Sequence, residues 1–160
     1  MDDQALRDHL LNLLRGGGAH TGFDDTIKGI PVELRGKRPK GLPYSPWELL
    51  EHMRIAQRDI LEFSRNREHK SPDWPAGYWP KSPAPPSGSV WTKSVAAFRQ
   101  DLEAMCALVS SSTTDLFAKI DWGDGQTILR EALLVSDHNA YHLGQLVVVR
   151  RLLGCWSEES

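Results

Sequence analysis

Apolar residues recur along the chain at intervals of three and four, and no stretch of useful length alternates apolar with polar. That rhythm belongs to helices with one buried stripe, so the sequence predicts an all-α fold. A first helix is expected from Asp2 to Leu14, with Leu6, Leu10, Leu13 and Leu14 on its stripe, acidic residues in its first turn, and Gly16-Gly17-Gly18 breaking it. Ala19, Phe23, Ile27 and Ile30 then predict a second helical piece ending near Lys28 or Gly29, before Pro31. Residues 31–44 read as a connector. Ser45-Pro46-Trp47-Glu48 is the strongest helix start in the chain: a cap hydroxyl, a proline at the first helical position and a glutamate placed to bond back to the cap. That helix is expected to run to Arg65 with Leu49, Met53, Ala56, Ile60 and Phe63 buried, Glu51 among the residues facing elsewhere, and His52 beside the stripe. Trp91, Val95, Phe98, Leu102, Met105 and Val109 step by four and three, a seam suited to a bundle. After a turn at Asp121 to Gly125, Thr127 caps a last helix expected to reach Leu153, with Gly154 just beyond it. Four main helices and one long connection describe a four-helix bundle.

The connection from Pro72 to Pro86 holds six of the ten prolines together with Trp74, Tyr78 and Trp79. Flexible linkers lack such aromatics, so an ordered Pro/Trp-rich loop packed across the helices is expected, either covering core or closing over a substrate.

The 160 residues support a single domain over 1–160, with enough chain to bury a core unaided. With 19 Lys and Arg against 21 Asp and Glu the net charge is −2, which offers no basic footprint for nucleic acid. The longest apolar runs, such as Leu146 to Val149, fall far below the ~18 residues of a membrane span. Cys106 and Cys155 form neither a disulfide framework nor a zinc-type cluster, and the acidic start resembles no targeting peptide, so a cytoplasmic protein is expected.

The final helix contains Asp137-His138-Asn139-Ala140-Tyr141-His142-Leu143-Gly144-Gln145. Residues four apart project from one helix face, so both imidazoles can reach one ion. Six histidines in a chain this long produce about 0.2 such pairs by chance, so the spacing alone is weak. Position strengthens it: Leu134, His138, Tyr141, His142, Gln145, Val149 and Leu152 read as one inward face, where an unpartnered pair of rings is costly. His52, one turn into a well-capped helix, supplies a third ligand. Three imidazoles leave coordination positions open, which suits a catalytic site, and the nitrogen donors suit zinc, nickel, copper or iron. Metal affinity is expected to fall as pH drops through ~6.5, where free imidazole takes a proton. His20, with Asp24 four residues on, is a candidate fourth ligand, supporting group or catalytic base near bound water. His9 and His69 are expected at the surface. Neither cysteine is placed as a nucleophile.

Ser45 to His52 followed by His138-Asn139-Ala140-Tyr141-His142-Leu143-Gly144-Gln145 resembles the DinB-like family (DinB/YfiT-like), over nearly the whole chain. The resemblance implies a four-helix bundle, usually a homodimer, holding zinc or nickel through His52, His138 and His142. Relatives include transferases and isomerases that use low-molecular-weight thiols such as bacillithiol or mycothiol, so a thiol-dependent S-transferase or a metal-assisted hydrolase is implied here. The alternative is a non-catalytic dimeric bundle that binds a metal or a small ligand. His20 lies outside the three-histidine pattern.

Overall fold

The computed structural model describes residues 3–156, and no β-strand occurs among them. Five helices form: α1 (Gln4–Leu14), α2 (Phe23–Ile27), α3 (Pro46–Arg65), α4 (Gly88–Ser110) and α5 (Ile128–Leu152). α1 and α3 occupy opposite corners, each packed against both α4 and α5, so the long helices make a four-helix bundle with α2 laid on α5.

The core residues give the helix directions. Leu49, Leu50 and Met53 of α3 share an apolar cluster with Trp91, Val95 and Phe98 of α4 and with Leu143, Leu146 and Val149 of α5. At the other end Leu61 of α3 meets Met105 and Val109 of α4 and Ile128, Ala132 and Val135 of α5. Early α3 thus pairs with early α4 and late α5, making α3 and α4 parallel neighbours and α3 and α5 antiparallel. Parallel neighbours cannot be joined by a short turn. The chain between α3 and α4 must return along a 20-residue helix, a path of about 30 Å at 1.5 Å per residue. This is why the Pro/Trp-rich loop lies across the bundle, making a short 3-10 turn at Ala76–Tyr78 on the way.

Between the two apolar clusters runs a polar rung. Gln57 Nε2 donates to the Phe98 carbonyl at 2.7 Å, and Asn139 Nδ2 donates to Gln57 Oε1 at 2.8 Å. Both side chains are buried, and the rung ties α3, α4 and α5 at one level.

Helix ends account for part of the remaining buried polarity. At α3 the expected cap forms: Ser45 Oγ accepts from the Glu48 N–H at 3.2 Å and Glu48 Oε2 accepts from the Ser45 N–H at 2.8 Å. Burial pushes the Glu48 carboxyl up, but the Arg38 guanidinium and the Ser45 N–H outweigh it and hold the group below its ordinary range. Ser45 Oγ also donates to the Pro83 carbonyl, pinning the returning loop to the start of α3. Two buried arginines serve carbonyls left unpaired at helix C-termini. Arg7 donates to the Val109 carbonyl in the last turn of α4 and to the Ser111 and Thr114 carbonyls just past it while Asp3 neutralises it, and Arg150 donates to Thr26 of α2 and to Cys155.

Several expected boundaries shift. Asp3 sits at the N-cap of α1 and spends its carboxylate on Arg7, leaving no acidic residue in the first turn; Asp2 lies outside the described residues. Ala19 is not helical, and the second helical piece is only the five residues of α2. In α3, Leu61 is fully buried where Ile60 and Phe63 are only partly so, and Glu51 is buried against Arg54 instead of facing solvent. α5 stops at Leu152, one residue short, with Gly154 at φ 70° immediately past its cap as expected.

Ser45→Ala removes the cap acceptor and the bond to Pro83 together. Urea unfolding is expected to show a loss of about 1–2 kcal/mol, at the upper end for an N-cap.

Candidate metal centre

Because α3 and α5 run antiparallel, two turns into α3 lies level with the middle of α5. His52 there meets His138 and His142, and one ring nitrogen from each falls within 4.8 Å of the other two. His52 Nε2 and His138 Nε2 are 3.1 Å apart, and the ring centroids of His142 lie 4.5 Å from each of the other rings. His52 and His142 are buried and His138 is half-buried.

Hydrogen bonds behind the rings decide which nitrogens face inward. His52 Nδ1 donates to the Tyr78 carbonyl at 2.9 Å, and a carbonyl can only accept, so the proton is on Nδ1 and Nε2 carries a lone pair. His142 Nδ1 donates to Gln145 Oε1 at 2.8 Å, with the same consequence. The His138 ring has no such bond. Its Nδ1 is buried with no hydrogen-bond partner, and so is Asn139 Oδ1, an acceptor held in place by the bond from Asn139 Nδ2 to Gln57. If His138 donates from Nε2 to His52, both of these atoms are acceptors and neither can satisfy the other. If its proton sits on Nδ1 instead, Nε2 becomes a third inward lone pair. Two nitrogens bound to one ion at about 2.0–2.1 Å are roughly 3 to 3.5 Å apart, which brackets the observed 3.1 Å separation. The residues present therefore fit a divalent metal ion.

Burial sets the charge state. It lowers the ring of His52, with the Tyr78 carbonyl opposing in part. It pushes His142 down to about 4 against the Gln145 bond, with His52 adding to the shift. His138 also falls to about 4, through burial first and then repulsion from His142 and His52, while Asn139 pulls the other way. All three rings are neutral at pH 7, the form in which imidazole ligates. For His138 and His142, proton competition with a metal accordingly sets in near pH 4, below the ~6.5 expected from free imidazole.

The returning loop builds one wall. Trp79 stacks face to face on His52 at 3.9 Å with parallel planes, and Tyr44 stacks on the far side of Trp79 at 4.5 Å. Tyr78, whose carbonyl holds His52, is itself anchored: its hydroxyl donates to Asp59 Oδ2 at 2.6 Å, and His69 Nε2 bonds Asp59 Oδ1 at 2.7 Å. His69 is thus half-buried and partnered, a correction to its expected exposure. His9 is exposed as expected.

The structure does not bring His20 into the cluster. It is exposed, with Nδ1 3.0 Å from the Thr21 carbonyl, and Asp24, its expected partner, pairs with Arg99 instead. The inward face of α5 is also rotated from the expected one: Val135, Asn139, His142, Leu143 and Leu146 face the core, whereas Tyr141 is 64% and Leu152 57% exposed. His138 consequently stands at the margin of the buried face, which leaves the cluster close to the surface on that side.

A family model for the DinB superfamily matches residues 18–146, about four-fifths of the chain and all three histidines of the cluster. The chain belongs to the DinB superfamily. Comparison with curated proteins and with solved structures gave no match. DinB superfamily membership and the three-histidine cluster together fit a metal-binding protein, and the helical bundle is the fold expected of that family. Among the described residues no helix is long and apolar enough to cross a membrane.

The depressed ring pKa values carry a stability consequence for the metal-free protein. Folded, His138 and His142 stay neutral down to about 4, whereas unfolded they take protons at about 6.5. Unfolding between those values takes up protons, so the contribution of these two rings to stability is constant above pH 6.5 and falls on acidification toward pH 4. Urea titrations in a chelator at pH 7.5, 6 and 5 are expected to show a slope approaching about 1.4 kcal/mol per pH unit for each ring, reduced by replacing His142 with Asn.

Proposed function

We propose that this DinB superfamily protein is a metal-dependent enzyme that holds one divalent ion, zinc or nickel, through Nε2 of His52, His138 and His142. The observation that carries the reading is the inward convergence of neutral imidazoles whose outer nitrogens are held by Tyr78 and Gln145. No carboxylate or thiol belongs to the donor group, so an ion there keeps its full charge and open coordination positions. Such an ion supplies Lewis acidity, lowering the pKa of a thiol or a water at the open side.

The chain's own side chains prepare that site. The Tyr78 carbonyl and the Trp79 ring fix His52 in one tautomer and one plane, and the indole excludes water from its face. Gln145 does the same for His142 through a residue one turn further along α5. The protein's cysteines stand apart. Cys106 is buried in the cluster at the opposite end of the bundle, where burial raises its thiol pKa, and Cys155 lies beyond the end of α5. A reacting thiolate must therefore come from a small molecule, which favours a thiol-dependent transferase over an enzyme with its own cysteine nucleophile, with metal-assisted hydrolysis as the related reaction. A homodimer remains part of the proposal on the family resemblance. Of the six tryptophans, Trp47 and Trp91 fill core and Trp79 lines the site, while Trp74 is 78% and Trp122 37% exposed.

Protein purified without an affinity tag is expected to carry up to one equivalent of zinc or nickel per chain, and added metal to raise its unfolding temperature. His142→Ala and His138→Ala should each weaken metal binding by roughly a hundredfold and abolish that thermal gain. Turnover of an electrophile with a panel of small thiols, lost on chelation, tests the catalytic part. Unchanged metal content in both variants overturns the ligand set.

A further inference from the structure

Tyr78 bonds α3 at two places. Its carbonyl accepts from His52 Nδ1 at 2.9 Å, and its hydroxyl donates to Asp59 Oδ2 at 2.6 Å. His52 and Asp59 are seven residues apart on α3, two helical turns along one face and about 10.5 Å of rise. A tyrosine laid along the helix spans that interval, with its backbone oxygen at one end and its phenol at the other. The second oxygen of Asp59 bonds His69 Nε2 at 2.7 Å, so one carboxylate holds both ends of the stretch from His69 to Tyr78. The His69 and Asp59 side chains are only 20% and 13% exposed, and a polar contact withdrawn from water is the stronger for it.

The neighbouring contacts do a different job. Gly77 N–H donates to the Asp73 carbonyl and Tyr78 N–H to the Pro75 carbonyl, which shape the turn without tying it to α3. The Trp79 ring lies parallel to His52 at 3.9 Å, which fixes the plane of the imidazole but not which nitrogen holds the proton. Ser45 grips the loop at Pro83, five residues beyond Tyr78. Burial, with Asp59 adding to it, pushes the Tyr78 phenol up to about 12, so the hydroxyl stays a donor at every working pH.

We infer that Asp59 is a positioning residue of the metal centre: acting through the length of Tyr78, it holds the carbonyl that keeps the His52 proton on Nδ1 and leaves Nε2 open to an ion. His69 steadies the carboxylate from its other oxygen. The inference rests on the metal reading above and deepens it, adding a group that sets the affinity of the site from two turns away. Removing the partner behind a metal ligand typically weakens metal binding by about 10- to 100-fold, and a partner acting through one intervening residue belongs at the lower end of that range.

Three variants separate this role from general support of the loop. Tyr78→Phe removes the hydroxyl and keeps the carbonyl, Asp59→Ala removes the carboxylate, and Asp59→Asn keeps an acceptor oxygen for the hydroxyl. Zinc titrations against a competing chelator are expected to show a loss of about tenfold for Tyr78→Phe and for Asp59→Ala, and no further loss when the two are combined. Asp59→Asn should stay within about threefold of the parent. In metal-free protein, imidazole nitrogen chemical shifts should place the His52 proton on Nδ1 in the parent and in Asp59→Asn, and move part of it to Nε2 in the other two. Losses that add in the double variant, or a proton that stays on Nδ1 in Tyr78→Phe and Asp59→Ala, overturn the assignment of Asp59 and leave the three ligands untouched. A parent that takes up no zinc overturns the metal reading; the nitrogen shifts, recorded without metal, then still decide whether Asp59 orients His52. Should Asp59→Ala fail to fold, Tyr78→Phe carries the same test, because it leaves every side chain of α3 in place.

Discussion

Three imidazole rings converge on one point, where inward lone pairs repel one another, and that repulsion is the constraint around which the rest of the site is arranged. Each ring could relieve it by turning a proton inward. The Tyr78 carbonyl prevents this for His52 and Gln145 prevents it for His142, because each acceptor retains the proton on the outer nitrogen. For His138 no acceptor fixes the tautomer: its buried Nδ1 has no hydrogen-bond partner, and its Nε2 lies 3.1 Å from that of His52. Protonating the rings is opposed by burial, which holds two of them near 4. With the tautomers of His52 and His142 fixed from behind and the rings neutral, a cation between them would turn the repulsion into attraction.

Those outer bonds depend on the bundle's connectivity. Since α3 and α4 are parallel neighbours, their connection has to travel back over the bundle, and it passes His52 on the way. The loop is held at both ends of that passage. Ser45 bonds Pro83 at the start of α3, while Asp59, near the end of α3, holds Tyr78 and His69. A loop fixed only by apolar cover would leave the Tyr78 carbonyl free to drift, and His52 would lose the acceptor that sets its tautomer. Ordering this segment costs conformational entropy, which the two polar anchors and the Tyr44, Trp79 and His52 stack offset.

What could be read in the sequence follows from how locally each feature is encoded. The α3 cap is complete within Ser45 to Glu48, and the pairing of His138 with His142 follows from helical spacing, so both were legible without tertiary knowledge. His52 was legible because a well-located helix start fixes the phase of the residues after it. The Tyr78 carbonyl was not, since any residue has a backbone oxygen and only the fold says which one arrives at His52. The aromatics of the Pro-rich segment were the available signal, and they implied order without implying a target. His69 was misjudged because its charged neighbours in sequence say nothing about Asp59, ten residues earlier on α3. Three glycines break the helix before His20 and leave its phase unreadable, and Arg99 of α4 takes Asp24, the aspartate its sequence offers as a partner. The face of α5 was placed too far toward Tyr141 because its core stripe contains the polar Asn139, whose burial is explained only by Gln57 on another helix.

The absence of a carboxylate among the donors has a consequence for selectivity. Three neutral rings leave a divalent ion at its full charge in a region where apolar side chains keep the local dielectric low, so an anionic atom at the open side is favoured strongly over a neutral one. Two separate connections cover one face of the His52 ring: Trp79, from the chain between α3 and α4, stacks on it, and Tyr44, from the segment before α3, backs Trp79.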